Sequence, residues 1–185
     1  MVICKSSLEK TRSGSFEAAD TSIHSDGVVY LRKDGRFVGP FGAELHSPRV
    51  GEHFLGMALA IAEIPGLNAR NREIATITTG AKFNAAYELY AHRTLAEKHG
   101  VLVKEYETIL TGHRPETLDE EGKALYDMAY EFMHGSGPLS QATWTNGVRL
   151  LTRDGAIAVV QYIAFYSYVC TILNGFDCRI LSPEE

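Results

Sequence analysis

The sequence has no CxxC pair. Its three cysteines, Cys4, Cys170 and Cys178, are scattered through 185 residues. An odd and dispersed set argues against a disulfide framework and fits a reducing compartment, so a cytoplasmic location is expected. Cys170 lies in an apolar run and reads as a buried side chain. An excess of positive charge is also missing: the formal net charge is −5 and the pI about 5.8. This balance gives no basic footprint for a nucleic-acid partner or an anionic membrane. No phosphate loop, dinucleotide fingerprint or GxSxG elbow occurs, so ATP and nicotinamide readings have no motif behind them. The first residues hold too short an apolar run for a signal peptide. The longest apolar stretch, IAVVQYIAFYSYVCTIL, is broken by Gln161, Ser167 and tyrosines. It reads as a buried or interface helix rather than a membrane span.

Apolar residues are plentiful, at 45% of the chain, enough for one domain with a sizeable core. Residues 1–38 are polar and aperiodic and read as an extension, irregular or with a short hairpin at Asp34-Gly35. Gly39, Pro40 and Gly42 suggest a shaped loop. Helical signals then dominate. Ser47-Pro48 reads as an N-cap with proline at the first helical position, and Leu55, Leu59 and Ala62 follow at helical spacing until Pro65-Gly66. Asn68 caps a second helix through NREIATITTGAKF, and a third runs from Asn84 to Gly100. A short helix ends at Gly112. Another carries Leu118, Leu125, Met128 and Phe132 as its stripe. Ser140 caps QATWTNGVRLLT, and a last long helix starts near Arg153-Asp154 and reaches Gly175. The expected architecture is all-α, with about seven helices over 39–176 and a polar tail at 177–185. Residues 68–100 and 138–174 faintly echo each other as helical hairpins.

Within YELYAH, Glu88 and His92 are four residues apart, so they lie on one helix face. The carboxylate would hold the imidazole tautomer and favour its charged form, which suits proton transfer. Glu73 on the preceding helix reaches the same place if the two helices are antiparallel. Spacing alone also allows an ordinary surface pair. His46, in a glycine- and proline-rich loop, is a candidate for a pocket rim, and His99 reads as a helix-end residue favoured by the dipole. Tyr162 and Tyr166 form an aromatic stripe that is either core or pocket wall. A metal site is not supported, because no ExxH is present.

The segments GPFGAELHSPRVG and LNARNREIATITTGAKFNAAYELYAHRTLAEKHGV resemble the carboxymuconolactone decarboxylase family of the AhpD-like superfamily. The likeness is densest from Arg72 to Gly100. It implies an all-helical fold with a recurring helical hairpin and a homo-oligomer, often a trimer or hexamer. The redox members of the superfamily carry a CxxC, a histidine four residues past it and a glutamate on the preceding helix. Here His92 and Glu73 match the histidine and glutamate, while Ala85 and Glu88 stand at the cysteine positions. The resemblance therefore implies the branch without the dithiol: a cofactor-free, decarboxylase-like lyase acting on a small unsaturated or lactone acid. The resemblance extends to relatives of secondary metabolism. In that reading His92 carries the proton, Glu88 orients it and Glu73 forms a second polar wall. Arg72, His46 or His92 itself offers a counter-charge for a substrate carboxylate, with Tyr87 and Tyr166 as further contacts. A dehydratase, an isomerase and a non-catalytic binding oligomer are the alternatives.

Overall fold

The computed structural model describes residues 2–4 and 39–180. Its elements are β1 Val2–Cys4, α1 Pro40–Glu44, α2 Pro48–Ala62, α3 Ala69–Phe83, α4 Ala86–Lys98, α5 Val103–Leu110, α6 Glu120–His134, α7 Gln141–Gly175 and β2 Cys178–Ile180. The fold is all-α, with seven helices among the described residues.

At the centre is α3, which packs against α4, α5, α6 and α7. Residues 73–80 of this helix are all buried, although three of them are threonines. The threonine hydroxyls return to their own helix: Thr76 donates to Arg72 O, Thr78 to Ile74 O and Thr79 to Ala75 O. A polar run is thereby satisfied without water. Ile74 and Ile77, both fully buried, meet Leu125 and Met128 of α6 and Val159 and Ile163 of α7 in the main core. At the N-terminus of α3, Arg70 pairs with both oxygens of the buried Glu105 at 3.1 and 3.0 Å. Glu105 also accepts from Leu102 N and Thr117 Oγ1, so its charge is paired and its lone pairs are used.

The expected caps are largely present. Asn68 accepts from Asn71 N–H at 2.8 Å and Ser140 from Thr143 N–H at 3.2 Å. Ser47 makes no side-chain cap bond, although Pro48 does open α2. The break expected before Arg153 is real. Thr152 has φ 67 and ψ 171 inside α7, and its hydroxyl accepts from Gly155 N–H at 3.2 Å, capping the second segment. That segment buries Ala156, Val159, Ile163, Cys170 and Leu173 along one stripe. By length and composition α7 is apolar enough to cross a membrane, and a little under half of its apolar window is buried in this fold.

Four details differ from the sequence reading. Pro40–Glu44 is a one-turn helix, not a loop. On α2 the inward residues are Phe54 and Ile61, while Leu59 is exposed, because the exposed Arg49, Glu52 and His53 mark the outer side of the helix, Phe54 and Ile61 lie opposite them and Leu59 falls at the margin. Phe132 of α6 is exposed, and Ala129 takes the core position one turn after Leu125. In the tail, residues 178–180 pair antiparallel with residues 2–4, Cys4 opposite Cys178. Cys178 is disulfide-bonded, which removes the argument for a reducing compartment that rested on unpaired cysteines. The Asp34-Gly35 hairpin lies outside the described residues.

Candidate active site

Glu73, Glu88 and His92 meet because α3 and α4 form a tight hairpin. Asn84 adopts φ 48, ψ 43 as the C-cap of α3, and Ala85 begins the next helix directly. Gly80 lets the helices close: a Cβ there would stand 3.0 Å from Leu89 Cδ2. His92 Nδ1 lies 2.9 Å from Glu73 Oε2, and His92 Nε2 lies 3.1 Å from Glu88 Oε1. Both carboxylates are buried, and the histidine side chain is 12% exposed. One imidazole is thus held between two carboxylates, one per ring nitrogen.

This geometry sets the charge of His92. Burial by itself lowers its pKa, but the Glu88 charge and the hydrogen bonds that the ring donates to both carboxylates more than offset it. The net result is a pKa raised from 6.5 to about 10. His92 is therefore an imidazolium at neutral pH, donating to Glu73 and Glu88. It starts as a proton donor, and the carboxylates are the available acceptors.

The cluster faces a cavity of about 120 Å³. For scale, an apolar cavity of about 150 Å³ takes a benzene ring. Phe41 comes from α1, Phe54, Ala58 and Ala62 from α2, Tyr87 from α4, and Tyr162, Phe165, Tyr166 and Val169 from α7. The spacing of the α2 and α7 sets at three and four residues puts each on one helix face. Tyr166 meets His92 edge to face at 5.5 Å between centroids, and Tyr162 lies hydroxyl to hydroxyl with Tyr166 at 3.4 Å. Burial pushes both tyrosine pKa values up, so both rings present neutral hydroxyls. Tyr87 packs under Gly39, whose φ of 63 and lack of a Cβ allow the ring's close approach.

Arg72 also lines the cavity, but its two terminal nitrogens are already used. They donate to the carbonyls of Ala62 and Ile64, fastening the end of α2 to α3. Its Nε is buried without a partner among the described residues, which leaves one donor for a ligand. Replacing Arg72 by Met should free these carbonyls and lower stability by ~1–3 kcal/mol, read as a shift in the urea midpoint. His46 is not part of the site. It is exposed and stacks on Phe176 at 6.1 Å, because the turn after α1 carries it outward. His99, which the sequence suggests only as a helix-end residue, lines the cavity with its Nδ1 3.4 Å from Glu73 Oε1. Phe41, Phe54 and Phe165 were also missed as lining residues.

Two solved structures superpose on this chain with a TM-score of 0.68 each. One is a cysteine-to-alanine variant of the debrominase Bmp8 in complex with 2,3,4-tribromopyrrole, 13% identical, covering 80% of this chain and 79% of that one. The other is Bmp8 without ligand, 12% identical over 79% and 78%. The chain has the fold of the debrominase Bmp8. That is the AhpD-like helical fold implied by the sequence resemblance. No family model and no curated protein sequence matches.

Proposed function

We propose that this protein is a cofactor-independent, decarboxylase-like lyase acting on a small unsaturated carboxylic or lactone acid. The clamped imidazolium at the wall of a small cavity lined by aromatic rings carries this reading. The neighbouring fold belongs to an enzyme that processes a small ring, which supports catalysis here. A thiol-based reaction is disfavoured, because no cysteine is among the described residues that line the cavity and Ala85 and Glu88 hold the CxxC positions.

In this mechanism Arg72 Nε meets the substrate carboxylate and the aromatic rings hold the unsaturated body. As CO2 leaves, the electron pair of the broken bond moves onto an enolate oxygen. The Nδ1–H of His92, turned from Glu73 to the substrate while Glu88 holds Nε2, stabilises that charge and gives its proton to carbon. The sum is R–COO⁻ + H⁺ → R–H + CO2. The two carboxylates also bring isomerisation within reach, since one of them can take a proton as His92 gives one. The test is CO2 release across a panel of unsaturated keto acids and lactone acids. CO2 formation that disappears in His92→Gln supports the lyase. Product without CO2 makes the protein an isomerase or dehydratase, and tight binding without turnover makes it a binding protein.

The same reading includes a homo-oligomer. On α2, Phe54, Ala58 and Ala62 line the cavity, whereas Val50, Met57 and Leu59 are 50%, 55% and 41% exposed. A second copy covering that outer face would hold the cavity wall in place. Light scattering at micromolar concentration should give a multiple of 20.4 kDa. A monomer mass at that concentration would refute it.

A further inference from the structure

His99 is the C-cap of α4, seven residues and two turns beyond His92 on the same face. Its Nδ1 lies 3.4 Å from Oε1 of Glu73, whose other oxygen lies 2.9 Å from His92 Nδ1. One buried carboxylate therefore joins two imidazoles by its two oxygens. Among the described residues, the ring hydrogen bond of His99 involves Nδ1 only. The side chain of His99 is 15% exposed, and the carboxylate between the rings 6%.

Although the His92 side chain is 12% exposed, each of its ring nitrogens is engaged by a carboxylate, so a solvent proton reaches a nitrogen through one of those carboxylates. Decarboxylation consumes one proton from solvent per turnover, and that proton must reach a buried ring. We infer that His99 is the relay that returns it, through Glu73. The inference rests on the reading of His92 as the proton carrier. Once Nδ1 of His92 has given its proton to carbon, a solvent proton adds to Nε2 of His99, the proton on His99 Nδ1 passes to Glu73 Oε1, and rotation of the carboxyl group brings that proton to His92 Nδ1. Glu73 and His99 end with the charges they began with, the ring proton of His99 has moved from Nδ1 to Nε2, a turn of the ring resets it before the next turnover, and no bond to carbon changes in the relay. His99 acts through Glu73, so it is a positioning and relay residue rather than a catalytic one.

The test needs no substrate, so its outcome is separate from that of the CO2 assay. In protein labelled with ¹⁵N-histidine, the exchange of the His92 ring protons with water is measured by NMR. His99→Asn keeps a donor facing Glu73 but carries no proton. His92 exchange should slow about tenfold or more in this variant, the scale of a lost proton-transfer group being at least that large. Added imidazole, a diffusible proton carrier, should restore it. His99→Gln serves as the second variant if His99→Asn does not fold. Unchanged exchange in a folded variant would overturn the relay. So would slowed exchange that imidazole does not restore, because that is the mark of a purely structural role.

Discussion

His92→Gln should lower turnover by about 10²–10⁴-fold, the range for a lost general acid–base group. Glutamine can donate one hydrogen bond to a flanking carboxylate but supplies no proton to carbon. Because kcat and kcat/KM should fall together, steady-state kinetics distinguish this from lost substrate binding. Glu88→Gln should cost less, since Glu73 still holds the ring at 2.9 Å. Circular dichroism on each variant separates lost chemistry from lost folding. An unchanged rate in folded His92→Gln would make His92 a structural histidine.

The second large effect is on stability against pH. The pKa of His92 is 6.5 as a free side chain and about 10 in the folded protein, raised by the two carboxylates against the effect of burial. Between these values the folded state binds the extra proton, so stability falls as pH rises. The contribution is fully present below about pH 6.5 and gone above about pH 10. Its slope is up to ~1.4 kcal/mol per pH unit, which sums to a few kcal/mol over the window. Calorimetry should show the melting temperature of the wild type falling across this range more steeply than that of His92→Gln. Parallel curves would mean that the imidazole is not charged in the folded state.

The Glu88–His92 pair was legible in the sequence because i,i+4 spacing is local and survives any packing. Glu73 was legible only through the resemblance and the guess of an antiparallel hairpin. The structure supplies that hairpin with left-handed Asn84 and a glycine at position 80. His99 carried a readable signal that went unused: positions 88, 92, 95 and 99 step by four, three and four along one face. His46 failed because its role depended on where a loop pointed, and it stacks on Phe176, 130 residues away in sequence. The α2 face was legible but taken along the wrong row: Arg49, Glu52 and His53 mark the outer side, which puts Phe54 and Ile61 opposite them and Leu59 at the margin. The break in α7 was legible because Thr152-Arg153-Asp154 places a capping hydroxyl three residues before Gly155. The β1–β2 pairing joins the two ends of the chain, and no local pattern in two three-residue segments announces it.

The charge of His92 is the point on which the mechanism turns, and the ring ¹⁵N chemical shifts read it directly. At about pH 8, between the free value of 6.5 and the folded value of about 10, both nitrogens should carry protons, and titration should come only near the upper value. A ring with one unprotonated nitrogen at that pH would contradict the account, because the site would then hold a neutral base where an acid is required.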